Sequence, residues 1–326
     1  MKDHTGVMVF AEQSESQIHH VSFELLGKGK ELADRLGVPL YSVLLGGQVE
    51  EATRELIYYG AETVWVFDHP VLKHFDLLNY KHNIVKLIKE VKPKIFLLGA
   101  THLGRSLGPR IAAALDTGLT ADCTGLDVDE QGNLIQIRPA FSGSILAQIK
   151  TKTRPQMATV RYKVMQSNRR DTNRTGEIVD RKPEIVPSLL SIVHREKSGE
   201  GNIVESEIIV SGGRGLKKAT DFELLAELAD LLGGAVGSSR PLVDDKWIGK
   251  EHQVGFSGHT VKPKVYIACG ISGSPQHLAG MRFSDVIVAI NTDPSAPIFK
   301  IADYGVIGDL YEVVPKLINR IRGKNQ

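Results

Sequence analysis

The sequence predicts an α/β fold in two domains: an N-terminal parallel-sheet domain with a β extension, and a C-terminal doubly wound domain. Three observations predict it. Short apolar runs alternate with stretches of helical period through the first half. Three apolar runs after residue 205 are each followed by a glycine-bearing or polar loop. Between these regions residues 166–203 are polar and interrupted, as in Ser167-Asn168-Arg169-Arg170-Asp171 and Lys197-Ser198-Gly199-Glu200-Gly201. That break sets the expected domains at 1–200 and 201–326. With 326 residues, 42% of them hydrophobic, the chain is long enough for two cores.

Residues 6–10 read as a strand, and 18–36 as a helix stopped by Gly37 and Pro39. Residues 40–45 and 63–67 read as strands. Over 78–91 the apolar residues Ile84, Leu87, Ile88 and Val91 recur at helical spacing, and Pro93 ends the helix. The run 95–98 is continuously apolar, the mark of a strand covered on both faces. A helix over 109–115 is expected to begin at Pro109, because a first turn does not need the missing N–H. From 119 to 164 short β runs are separated by the turn signals Glu130-Gln131-Gly132-Asn133 and Phe141-Ser142-Gly143-Ser144. They predict an antiparallel extension of the first domain.

The second domain opens with the strand Ile208-Ile209-Val210. Thr220 and Glu223 have the spacing of a capping box, and Leu224, Leu228, Leu231 and Leu232 share the face of the helix that follows. Residues 265–269 and 286–290 read as buried strands. Leu310, Val313, Val314, Leu317, Ile318 and Ile321 form the apolar face of a C-terminal helix.

Composition excludes several functions. Charged residues make up 24% of the chain and the formal net charge is +2, with no dense Lys/Arg tract interleaved with aromatics, so nucleic acid is not the expected ligand. Cys123 and Cys269 are too few for a disulfide framework and fit a reducing compartment. No run of about 18 apolar residues occurs, so a cytoplasmic protein without direct membrane insertion is expected. No His, Cys or carboxylate cluster has metal-ligand spacing. Gly255-Phe256-Ser257-Gly258 approaches a hydrolase elbow but lacks the strand before it.

The chemistry is expected at the strand ends, where open parallel sheets bind ligands. The loops there are Gly212-Gly213-Arg214-Gly215, Gly270-Ile271-Ser272-Gly273-Ser274-Pro275-Gln276-His277 and Asn291-Thr292-Asp293-Pro294-Ser295-Ala296-Pro297. Glycines let backbone approach a ligand, and helix starts offer N–H groups to phosphate. Three such loops on one edge describe a dinucleotide site. Each alone is an ordinary turn, and none is Gly-x-Gly-x-x-Gly or a P-loop.

These loops, with Ser238-Ser239-Arg240-Pro241, Val254 to Gly258, Leu278-Ala279-Gly280-Met281 and Ala302-Asp303-Tyr304-Gly305, resemble the FAD domain of electron transfer flavoprotein alpha subunits. The resemblance is dense over residues 205–320. It is looser in the first half, at Thr117-Gly118-Leu119-Thr120-Ala121-Asp122-Cys123 and Arg138-Pro139-Ala140-Phe141. It implies an electron carrier rather than a substrate-converting enzyme, with FAD on the second domain. It also implies a heterodimer with a beta subunit that holds AMP or, in electron-bifurcating members, a second FAD reduced by NADH. A dehydrogenase is the implied redox partner.

The positions implied to line FAD are Arg214, Ser239, Arg240, Val254, Gly255, Phe256, Ser257, Gly258, Ser272, Gly273, Ser274, Pro275, Gln276, His277, Asn291, Asp303 and Tyr304. A reduced flavin gathers negative charge, which His277, Arg214 and Arg240 would favour; Ser257 offers a hydroxyl to the ring, and Asn291 and Asp303 suit adenine or ribose. The family pattern has Gln-Thr where this chain has Phe256-Ser257. A nucleotide-binding scaffold without a redox role fits the same loops. A stand-alone NAD-dependent dehydrogenase fits less well, lacking its glycine fingerprint.

Overall fold

Val7–Ala11 (β1), the first apolar run, has all five residues buried. Its side chains alternate between two apolar layers. Val7, Val9 and Ala11 enter one with Leu25, Leu26 and Leu32, and Met8 and Phe10 enter the other with Tyr80, Ile84 and Leu107. A strand covered on both faces in this way belongs at the centre of a parallel sheet. The structure, a computed structural model, describes residues 4–140, 145–188 and 203–323.

After β1 come a hairpin of β2 (Gln13–Ser14) and β3 (Gln17–Ile18), then α1 (His20–Leu36), β4 (Leu40–Gly46), α2 (Glu50–Tyr58) and β5 (Thr63–Asp68). They are followed by α3 (Leu77–Val91), β6 (Ile95–Gly99), α4 (His102–Ala114), β7 (Leu119–Cys123) and β8 (Gly125–Val128). The first unit closes with β9 (Leu134–Ala140), β10 (Ile145–Ile149), β11 (Gln156–Val160) and β12 (Glu177–Asp180). Seven strands form one parallel sheet in the order β12-β5-β4-β1-β6-β11-β7, and β10-β9-β8 form a separate antiparallel sheet.

The chain divides into two compact units, Met1–Val193 and His194–Gln326. The boundary expected near residue 200 and the turn expected at Phe141 to Ser144 lie outside the described residues.

Four local expectations are corrected. The β run from 119 to 164 is antiparallel only in its middle, since β7 and β11 join the parallel sheet. Buried polar residues hide this in the sequence. Thr120 Oγ1 donates to Gln136 Oε1 at 2.7 Å, and Gln136 Nε2 donates to the Met157 carbonyl at 2.9 Å, tying the two sheets together. Residues 177–180, inside the polar stretch, form the edge strand β12 beside β5; its side chains are mostly exposed, so no apolar pattern marks it. The helix expected from Pro109 starts at His102 instead. Thr101 caps it by accepting from Gly104 N at 3.0 Å, and Pro109 sits in its interior. Thr220 does not cap the helix of the second unit; Asp221 holds that corner, as described below.

The second unit contains β13 (Ile208–Gly212), α5 (Phe222–Leu231), β14 (Ala235–Ser238), α6 (Arg240–Asp244) and β15 (Val265–Cys269). It continues with α7 (Pro275–Met281), β16 (Val286–Asn291), β17 (Tyr304–Ile307) and α8 (Leu310–Arg322). All five strands are parallel, in the order β14-β13-β15-β16-β17. One face packs on α5 and α8 through Val210, Leu225, Leu228, Val314 and Ile318, and the other buries Ile209, Tyr266, Met281 and Ile298. Helices and loops on both faces make the sheet doubly wound. Among the described residues no helix is long and apolar enough to cross a membrane.

Candidate functional site

The strand order reverses at β13. The chain leaves β13 toward β14 on one side, then returns past it to β15 on the other. Such a switch point opens a crevice at the carboxyl ends of the two strands that part. A cavity of about 510 Å³ lies there. All five strands contribute their following loops to it. Arg214, Gly215 and Lys217 follow β13, Ser239 and Pro241 follow β14, and Gly270, Ile271, Ser272, Ser274 and His277 follow β15. Asn291 and Thr292 come from the end of β16, and Gly308, Asp309, Leu310 and Tyr311 follow β17.

Backbone hydrogen bonds continue the sheet into the floor of the cavity. Gly213 N donates to the Cys269 carbonyl and Gly215 N to the Gly270 carbonyl, both at 3.0 Å, and Gly270 N donates to the Ile290 carbonyl at 2.8 Å. A Cβ on Gly213 would lie 2.5 Å from the Gly270 oxygen, and one on Gly215 would lie 2.6 Å from Gly270 Cα. Only glycines allow the two loops this close.

His277 is 5% exposed. Its Nε2 lies 3.0 Å from Tyr266 Oη, and its Nδ1 is buried without a hydrogen-bond partner. Burial pushes its pKa down to about 4, so the ring is neutral at neutral pH. Ser274 caps α7 by accepting from His277 N.

A second cluster stands at the other rim. Asp221 Oδ2 accepts from the backbone N–H groups of Lys217 and Lys218, each at 3.0 Å, and from the Tyr311 hydroxyl. Tyr311 Oη also accepts from Lys217 N at 2.8 Å. Asp309 caps α8 by accepting from Tyr311 N at 2.9 Å. The sequence reading missed Lys217 and residues 308–311. The signal available for the latter was the spacing of Asp309 and Glu312, a capping-box pattern at a helix start.

Of the expected site residues, Arg214, Ser239, Ser272, Ser274, His277 and Asn291 line the cavity. Asn291 is held from both ends, with Nδ2 donating to the Ile271 carbonyl and Oδ1 accepting from Asp293 N, each at 3.0 Å. Gly273, Pro275 and Gln276 shape the turn into α7 without lining the cavity. The Val254 to Gly258 loop is seated on that turn, since Phe256 N donates to the Gln276 carbonyl at 2.8 Å. Gly255, at φ 145°, makes this fit possible. Phe256 is 80% exposed, and Ser257 Oγ accepts from Gln253 Nε2 at 3.0 Å. Arg240 points outward and pairs with Asp244 at 3.1 Å.

Asp303 and Tyr304 lie elsewhere. Tyr304 is the first residue of β17, and Asp303 Oδ2 accepts from Ile287 N at 2.8 Å, near the amino ends of β16 and β17. The cavity sits at the opposite ends of these strands. Asp309 and Tyr311 line the cavity there.

The donor set suits a phosphate-bearing dinucleotide. Arg214 and Lys217 are exposed cations, Ser272 and Ser274 offer hydroxyls, and a cavity of this volume is of the scale that holds such ligands, about 300–1,000 Å³. Cys269 and Cys123 are buried, and burial raises each thiol to about 12, so neither supplies a thiolate. Among the described residues no His, Cys or carboxylate group is arranged to hold a metal ion.

Comparison with known proteins agrees. Residues 7–185 match the family model for the electron transfer flavoprotein domain, and residues 202–282 match that for the electron transfer flavoprotein FAD-binding domain. The chain is 50% identical to electron transfer flavoprotein subunit alpha of Thermoanaerobacterium thermosaccharolyticum, covering 99% of each chain. It is 46% identical to the corresponding subunit of Megasphaera elsdenii, over 99% of this chain and 98% of that one. It is also 46% identical to the lactate dehydrogenase (NAD(+),ferredoxin) subunit LctC of Acetobacterium woodii, over 98% of this chain and 77% of that protein.

Proposed function

This chain belongs to the electron transfer flavoprotein family as an alpha subunit, and on that premise we propose that it holds FAD in the cavity at the ends of β13 to β17. A flavin cofactor and a beta-subunit partner come with the family. The observation that carries the FAD reading is the switch-point cavity, to which all five strand-end loops contribute and where two cations stand among serine hydroxyls.

When bound, the flavin supplies the electron-accepting and electron-donating chemistry. The chain's own residues bind, orient and tune it. Arg214 and Lys217 neutralise phosphate charge, and Ser239, Ser272 and Ser274 add hydroxyl contacts. Gln253 takes an acceptor site of Ser257, so the Ser257 proton remains to be donated toward the ring system. Phe256, held outward by Gly255, gives an apolar surface beside it where an amide would otherwise stand.

The partner dehydrogenase and the final acceptor set the direction of flow. Likeness to a subunit of an NAD(+)- and ferredoxin-using lactate dehydrogenase supports the electron-bifurcating form of the reading, in which the beta subunit carries a second FAD rather than AMP. The test is to purify the alpha–beta complex and count flavin and AMP per complex after denaturation. Two flavins and reduction by NADH support the bifurcating form, and one flavin with AMP supports the simple carrier. A stoichiometric complex that stays colourless in excess FAD defeats the reading.

A further inference from the structure

Behind the cavity wall lies a chain of three buried polar side chains that ligand contacts alone leave unexplained. Ile209 on β13 pairs in register with Tyr266 on β15, and Ser211, two residues on, shares their face of the sheet. Tyr266 is fully buried, its hydroxyl 3.0 Å from His277 Nε2. The Ser211 hydroxyl is also buried, without a hydrogen-bond partner. A core of Ile209, Ala268, Ile271 and Met281 surrounds them, where an aliphatic side chain would serve packing better than a phenol.

A phenol has one proton and can face either way. With its O–H toward Nε2 it serves the neutral imidazole. With its O–H turned away from the ring it accepts from a protonated Nε2. We infer that Tyr266 is a positioning residue: its hydroxyl, 3.0 Å from Nε2, donates to the neutral ring and turns to accept from the protonated one, so His277 stays hydrogen-bonded whether or not the ring carries a proton. His277 can then take up one proton from solvent when negative charge enters the cavity, with no other bond made or broken. The groups that bear on this are Tyr266 and Cys269 on β15, both shifted upward by burial, Arg214 and Lys217 after β13, and Asp309 and Tyr311 at the start of α8. The inference rests on the flavin reading only for the second of its two readouts.

The experiment uses the alpha–beta complex with isotope-labelled histidine, the His277 ring signal being identified by its loss in His277→Gln. The first readout is the titration of that ring by NMR in the flavin-free complex; the second is the pH dependence of the flavin potential in the loaded one. In Tyr266→Phe the protonated ring loses a charge-assisted hydrogen bond and the neutral ring only an ordinary one, so His277 should titrate about one pH unit lower. The bend in the potential–pH line should move with it. An unmoved titration in Tyr266→Phe overturns the inference. If that variant does not fold, Tyr266→Met takes its place. It should move the titration the same way, and no movement there overturns the inference equally. A complex that takes up no flavin counts against the FAD reading, while the flavin-free titration still decides this one.

Discussion

Lys217 Nζ lies 4.5 Å from the centre of the Tyr311 ring, and both residues line the cavity. The contact fixes a flexible cation at one rim, and the Tyr311 hydroxyl fixes the ring in turn through Asp221 and Lys217 N. Lys217→Met should therefore weaken FAD binding about tenfold, or about 1.4 kcal/mol, with a shallower salt dependence than the parent. Tyr311→Phe keeps the ring under the cation but leaves Asp221 with one donor fewer, and should destabilise the second unit by about 1–2 kcal/mol. Flavin fluorescence titrations and denaturant melts read the two effects separately.

Arg240 behaves differently. Its pairing with Asp244 is an exposed i, i+4 contact, of the kind that contributes about 0–1 kcal/mol. Arg240→Ala should leave unfolding nearly unchanged. If the guanidinium turns toward the flavin in the complex, as the family resemblance implies, the same variant should lower the flavin potential by up to about 60 mV for a one-electron step. Spectroelectrochemical titration measures this.

Gly213→Ala tests the floor of the cavity. The new Cβ would fall 2.5 Å from a backbone oxygen, which cannot swing aside as the end of a side chain can. The loops after β13 and β15 must separate, and the complex should purify without flavin while the first unit keeps its fold. Absorbance per complex and circular dichroism together show whether it does.

Two buried groups give stability a pH dependence of opposite sign in the two units. Burial raises Glu12 from the ordinary 4.5 to about 7, although Thr101 Oγ1 donates to it at 2.6 Å. Folded first unit keeps a proton that the unfolded chain gives up, so stability falls as pH rises from 4.5 to about 7, by at most about 3 kcal/mol. Burial lowers His277 from 6.5 to about 4. There the unfolded chain takes up the proton first, so stability falls as pH drops from 6.5 toward 4. The only tryptophans, Trp65 and Trp247, lie one in each unit and report them apart. Trp65→Phe leaves the second unit's signal alone, and Trp247→Phe the first's. Glu12→Gln should flatten the first unit's loss between pH 4.5 and about 7, and His277→Gln the second's loss below 6.5.

The sequence made visible what rests on apolar period. Val7 to Phe10, Ile95 to Leu98 and Tyr266 to Cys269 are continuous buried runs, and the structure makes each part of a central strand. Elements whose partners are polar were not legible. Gln156 sits in β11 with its side chain accepting from Leu134 N at 2.7 Å, a contact across 22 residues that no local pattern announces. β17 exposes all four of its residues, so the fifth strand was read instead as a site segment holding Asp303 and Tyr304. Those two residues lie at the end of the sheet away from the cavity. Arg214, Ser272, Ser274 and Asn291 were legible because each directly follows a readable strand or closes one. Lys217 was not, because its place depends on Asp221 and Tyr311, ninety residues apart.

The cavity wall draws on residues from 214 to 311, so no subset of the second unit can grip a ligand by itself. Occupancy must then couple to the folding of that whole half of the chain, adding stability in proportion to the logarithm of ligand concentration over the dissociation constant. An alpha subunit made under flavin starvation would carry a firm first half and a soft second half. Limited proteolysis would degrade the second unit ahead of the first, and added FAD would protect it.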